Sequence, residues 1–189
     1  RFQDNERRIG NPLSADTQGA RKIWLHIVLS GLDVRAPWSA YGTHVADSYS
    51  GGPVTAYAED CRWAYGEGAR LATLPRKTTI RRSVVAFSWR GDAHNQGYYT
   101  SGFGNATTFD EVIFYRNGYK TDPRVDPDPR RDIFSRNIYQ GGGSMMGHTY
   151  LGIISADGAS GGPQMRLGGR IEGSLIIEGY WFSATSSNQ

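Results

Sequence analysis

One cysteine, Cys61, is present in 189 residues. That excludes an internal disulfide framework and a cysteine-based zinc site, and Cys61 is expected to be a small core residue. Lysine is nearly as scarce: Lys22, Lys77 and Lys120 are the only three among 21 basic residues, the rest being arginine. A genome-wide preference for arginine accounts for this, as would bidentate contacts to other subunits, anionic glycans or phosphates. No apolar run approaches the roughly 20 residues that cross a bilayer, so membrane insertion is not expected. The four histidines are scattered, with the nearest pair, His26 and His44, 18 positions apart. Regularly spaced metal ligands are therefore missing, and no metal or cofactor is expected. Gly143-Ser144 and Gly173-Ser174 do not supply a G-x-S-x-G serine-nucleophile phrase, and no phosphate-cradling G-x-x-x-x-G-K occurs.

What the chain has is 25 glycines beside 7 Phe, 5 Trp and 11 Tyr. Glycine serves tight turns and aromatics suit pleated surfaces, so many short strands with tight connections are expected. Residues 1–21 are polar and aperiodic and read as an extended arm, with residues 22–189 as one β-rich domain. The start at Arg1 rather than Met is compatible with secretion, removal of an upstream segment, or a disordered arm. Residues 23–29 and 80–89 read as strands. Residues 54–66 repeat apolar positions at three- and four-residue spacing and predict the one helix. Asn117-Gly118 predicts a hairpin turn, and residues 122–132, with three of the eight prolines, predict an exposed loop. No internal repeat of fixed period is visible. The expected architecture is an antiparallel β-sandwich of jelly-roll type with one short helix.

Two phrases resemble known families. Ala58 to Trp63, followed by Gly68 to Leu74, resembles the second helix and following turn of C-type-lectin-like domains, echoed by Phe87-Ser88-Trp89 and Asp92. The resemblance implies an α+β lectin-like fold as the alternative. The partner cysteines and the calcium-binding phrase are absent, so no calcium or sugar ligand carries over. Glu178-Gly179-Tyr180 resembles the closing phrase of family-11 xylanases, without that family's paired-glutamate strands. Glycoside hydrolysis needs two facing carboxylates. Glu172 and Glu178 lie six apart on one expected strand, about 20 Å from each other, so a partner would have to come from elsewhere. Arg90-Gly91-Asp92 matches an integrin-read tripeptide, Asn105-Ala106-Thr107 an N-glycosylation acceptor, and Asp92-Ala93-His94 is the best local acid–imidazole cluster.

Aromatics among Gly, Ser and Asn form adaptable contact surfaces. Trp38, Tyr41, Tyr98, Tyr99 and Phe103 are the expected ligand contacts. Phe2, Ile9 and Leu13 are the apolar anchors of the arm, and with Arg7, Arg8, Arg81 and Arg82 they are the expected subunit contacts. The leading expectation is a non-enzymatic structural or attachment protein of a viral or phage particle or surface assembly, located on a virion or outside the cell. It would form a homo-oligomer and meet a glycan or cell-surface receptor, with nucleic acid a weaker expected partner. A glycan-binding module is the alternative, and a glycan-active enzyme the second alternative.

Overall fold

The computed structural model describes residues 2–3, 26–35, 43–44, 55–67, 71–72, 77–91, 95–100, 106–141, 147–166 and 168–177. Among the described residues, a short β1 (Phe2–Gln3) precedes six coils. The first coil is β2 (His26–Ser30), β3 (Asp33–Arg35) and β4 (Thr43–His44). The second is β5 (Thr55–Glu59), β6 (Arg62–Glu67) and β7 (Leu71–Ala72), the third β8 (Lys77–Arg81), β9 (Val84–Trp89) and β10 (Tyr98–Thr100). β11 (Ala106–Asp110), β12 (Ile113–Tyr115) and β13 (Ile138–Gln140) make the fourth; β14 (His148–Leu151), β15 (Ile154–Ala156) and β16 (Gln164–Met165) make the fifth. β17 (Gly169–Glu172) and β18 (Leu175–Ile177) begin the sixth.

Each strand inside a sheet pairs with its counterpart one coil earlier and one coil later. The first sheet is β2-β5-β8-β11-β14-β17, the second β1-β3-β6-β9-β12-β15-β18, and the third β4-β7-β10-β13-β16. Every pairing between named strands is parallel. The chain is thus a three-faced parallel β-helix. This overturns the antiparallel sandwich or jelly roll, and among the described residues there is no helix to support the lectin-like α+β alternative. Coil length varies from 21 residues (148 to 169) to 41 (108 to 149), which is why no fixed period shows.

The interior follows one pattern. Residues 56, 58, 61 and 63 point inward and are buried, as are 78, 80, 83, 85; 107, 109, 112, 114; and 148, 150, 153, 155. Alternation along a strand gives the steps of two, and the step of three crosses the corner between the first and second sheets. At that corner a residue takes a left-handed conformation in all six coils: Gly31, Asp60, Arg82, Glu111, Gly152 and Gly173, with φ between 42° and 64°. The corner backbone keeps the ladder unbroken. Asp60 N–H donates to Arg81 C=O at 3.2 Å, and Val84 N–H to Cys61 C=O at 2.9 Å. Where the inward corner residue is Ser83, its Oγ accepts from Cys61 N–H and donates to Arg81 C=O. Ser174 repeats both bonds with Ile153 and Glu172.

This corner corrects the helix reading of residues 54–66. Asp60, at φ 54°, splits the segment into β5 and β6, and the 2-3-2 inward spacing imitates helical periodicity. It also divides residues 80–89, where Arg82 turns the chain from β8 into β9.

Large rings fill the interior. Phe109 and Tyr150 stack with centroids 5.3 Å apart and planes 7° apart, and Phe114 meets Phe109 edge-on. Trp63, Tyr98, Leu71, Ile80 and Ile138 are also fully buried. Each such side chain stabilises the fold by roughly 1.5–3 kcal/mol relative to exposure.

The corner between the second and third sheets is polar inside. Asn117 Nδ2 donates to Val85 C=O at 2.9 Å and to Asn137 Oδ1 at 2.9 Å, while Asn117 Oδ1 accepts from Ser88 N–H at 3.0 Å. Asn137 Nδ2 continues to Ser155 Oγ. Asn117-Gly118 therefore is not a hairpin turn: positive φ falls on Arg116 (52°) and Gly118 (91°), and the chain goes on into a long excursion before β13. Residues 122–132 lie in that excursion, as expected for a proline-rich loop.

Candidate functional site

Every outer face of the helix is a row of stacked positions, one per coil, separated by the roughly 4.8 Å between strands. On the first sheet, Val28, Tyr57, Thr79 and Thr108 form one outward row, and Thr55, Lys77 and Ala106 the next. Together they line a groove of about 600 Å³. The threonines and Tyr57 are half-buried, Lys77 is exposed and Val28 is 73% exposed.

A charged row borders the groove. Glu59, Arg81 and Asp110 stack in register, followed at the corner by Asp60, Arg82 and Glu111. Arg81 lies 3.1 Å from Asp110 and 3.9 Å from Glu59; Arg82 lies 2.8 Å from Glu59 and 3.0 Å from Asp60. Hydrogen bonding from Arg82 holds the Asp60 carboxyl below its usual range. Arg81 and Arg82, expected as subunit contacts, are thus occupied by neighbouring coils of their own chain. The same holds for Arg62 with Asp33 and for Arg116 and Arg131 with Asp157. Much of the arginine excess therefore goes into ion pairs within and between coils.

The second sheet is different. Val84, Ile113, Ile154 and Leu175 form one outward row, and Ala86, Tyr115, Ala156 and Ile177 the other. Ala86 is covered, Ile113, Tyr115 and Ile154 are each a little over a third exposed, and the last coil is the most open, with Leu175 at 53% and Ile177 at 58%. Toward the other end the first row becomes charged, with Arg62 and Asp33 paired at 2.7 Å.

On the third sheet, Tyr99 and Tyr139 stack with centroids 5.6 Å apart and planes at 16°, and the Arg166 guanidinium lies 5.3 Å from the Tyr139 centroid. Tyr99, an expected ligand contact, is half-buried on the outside. Tyr139 has its faces covered by Tyr99 and Arg166, which leaves ring edges for solvent.

Tyr98, by contrast, is fully buried. Its hydroxyl lies 3.0 Å from Nε2 of His148, whose Nδ1 accepts from Thr107 N–H at 3.3 Å. That pattern sets the tautomer: Nε2 carries the proton and donates to Tyr98 Oη. Burial holds His148 down to about 4 and pushes the Tyr98 phenol up. His148 is a core residue rather than a ligand. Cys61 is buried, donates from Sγ to Glu59 C=O, and has its thiol pushed up by burial. Of the remaining expected residues, Phe2 sits in β1, whose backbone pairs with β3 of the same chain. Trp38, Tyr41, Phe103, Arg7, Arg8, Ile9 and Leu13 lie outside the described residues, as do Asp92, His94 and Asn105. Among the described residues no three His, Cys, Asp or Glu side chains gather as a metal site, and no helix is long and apolar enough to cross a membrane.

Comparison with known proteins gives no match to a family model, a curated protein or a solved structure. The function is therefore argued from the three faces.

Proposed function

We propose that the chain is a non-enzymatic structural or attachment subunit of a surface assembly, such as a viral or phage particle. In this reading rods of β-helix meet side by side and a receptor is met on another face. The apolar stripe of the second sheet carries the proposal. Rows of Ile, Leu, Val and Tyr standing outward on a rigid sheet mark interaction surfaces. The stripe carries no charge in its four later coils, so it can lie against the same stripe of a second copy without like-charge repulsion, as a self-complementary contact requires. A place on a virion or at a cell surface follows from the proposal. A phosphate-binding role gains no support from Arg81 and Arg82, because Glu59, Asp60 and Asp110 neutralise them.

Light scattering after size exclusion tests this. A multiple of 20.9 kDa that falls to the monomer with Ile113→Lys and Leu175→Lys together supports the reading. A monomeric parent overturns it.

A second reading, a glycan-binding module, is favoured by the groove on the first sheet. Hydroxyls, one phenol and one ammonium on a rigid concave surface are groups that hydrogen-bond a saccharide. Screening the chain against an array of glycans tests it. The glycan-active enzyme gains less: Glu59, Asp110 and Glu172 are each held by an arginine, and a general acid needs its proton affinity raised instead.

A further inference from the structure

We propose that the groove on the first sheet binds a glycan carrying carboxylate groups, laid along the helix axis across the first four coils; this rests on the glycan-binding reading. The groove is built by register. Thr79 on β8 and Thr108 on β11 face outward in one row, so their hydroxyls recur at the interstrand spacing of about 4.8 Å, and Thr55 on β5 adds a third hydroxyl from the neighbouring row. Threonine is β-branched, with few χ1 choices, and here it stands on a strand paired on both sides. The hydroxyls are therefore held in place before a ligand arrives, which lowers the ordering cost of binding. Each hydroxyl both donates and accepts, which matches the hydroxyls of a sugar. Tyr57, between Val28 and Thr79 in its row, adds an apolar ring edge and a phenol. Ala106 continues the Lys77 row with a methyl group and keeps that end of the groove open.

Lys77 decides the charge of the ligand. It is exposed at the groove, and no described carboxylate forms an ion pair with it. The cations on the far side, Arg81 and Arg82, are already held by acids. The site thus offers one ammonium in a field of neutral hydroxyls. A phosphate group is better served by arginine forks or by exposed backbone N–H groups. The strands flanking this groove spend their N–H groups in the parallel ladder. A carboxylate among sugar hydroxyls is the chemistry that fits.

The test uses the whole chain and two probes, an oligogalacturonate of about six units and its neutral galactose counterpart, followed by calorimetry. The acidic probe is expected to bind, and Lys77→Gln to weaken it about tenfold, the range of a hydrogen bond to a charged group. The same variant is expected to weaken the neutral probe less than the acidic one, because the glutamine amide still hydrogen-bonds sugar hydroxyls but carries no charge. Thr79→Val with Thr108→Val should weaken both probes, with an unaltered thermal midpoint as the folding control. Acidic binding that survives both variants overturns the groove as the site, while the glycan-binding reading stands. Tighter binding of the neutral probe than of the acidic one overturns the carboxylate assignment. Absence of binding to these probes and to every member of a broad glycan array overturns the site and the reading together.

Discussion

Inside the helix, His148 donates from Nε2 to the Tyr98 hydroxyl 3.0 Å away, and it does so as a neutral ring. Its pKa is lowered from 6.5 to about 4 by burial. In the unfolded chain the imidazole takes up a proton as pH falls through 6.5, while the folded protein resists until about 4. This group's contribution is therefore complete above pH 6.5, declines between 6.5 and 4, and changes no further below. The loss over that window is about 3 kcal/mol at 1.36 kcal/mol per unit. Urea unfolding at pH 7, 5.5 and 4 should show this slope, and His148→Gln should flatten it.

Gly118 and Gly152 both have positive φ, 91° and 57°, but only one is crowded. A Cβ on Gly118 would lie 2.8 Å from Ser135 C and 2.9 Å from Arg136 N, both backbone atoms. On Gly152 it would meet nothing closer than Glu111 Cγ at 3.8 Å. Gly152→Ala is expected to cost about 1 kcal/mol in backbone strain, and Gly118→Ala several times that. Equal losses in chemical denaturation would contradict the described packing.

Asn117 ties the third coil to the fourth: it accepts from Ser88 and donates to Val85 and Asn137. Asn117→Leu leaves the buried Ser88 N–H without this partner and removes a bond from Val85 C=O, while Asn137 Oδ1 keeps the bond from the residue 117 N–H; each group left unpaired costs about 1–3 kcal/mol before relaxation. The variant should unfold at least 2 kcal/mol more easily, on the same scale. An unchanged denaturation midpoint would show that the network is not formed.

Cys61 is 2% exposed, and burial pushes its thiol up. Thiolate is the reactive form, so an aromatic disulfide reagent should leave the native protein unmodified and label one thiol per chain in denaturant. Rapid labelling of the native state would place Cys61 at the surface instead.

Several strand positions were legible in the sequence, whereas the way the strands pair was not. Residues 23–29 overlap β2, and residues 80–89 overlap β8 and β9. Short strands with tight connections point to antiparallel pairing. In a β-helix a short corner joins strands of different sheets, and pairing is deferred by a whole coil. The corner itself carries no turn signal where Asp60, Arg82 and Glu111 occupy it, since only three of its six positions are glycine. The repeat was present as the inward steps 2-3-2, seen at 78, 80, 83, 85 and again at 107, 109, 112, 114. Connections of unequal length between coils hid it. The groove was less legible still, because Tyr57, Lys77, Thr79 and Thr108 share no local motif and meet only through register. Tyr98 looked like a loop aromatic beside Tyr99, yet alternation in β10 turns one ring inward and leaves the other outside.

Pairing only between adjacent coils makes the molecule a ruler. Stability in such a stack is a sum of nearest-neighbour terms, so loosening is expected to start at the two ends and the middle coils to open last. Each coil advances the axis by about 4.8 Å. A whole coil gained or lost would shift whatever the two ends touch by that increment, leaving the corner geometry of the remaining coils as it was.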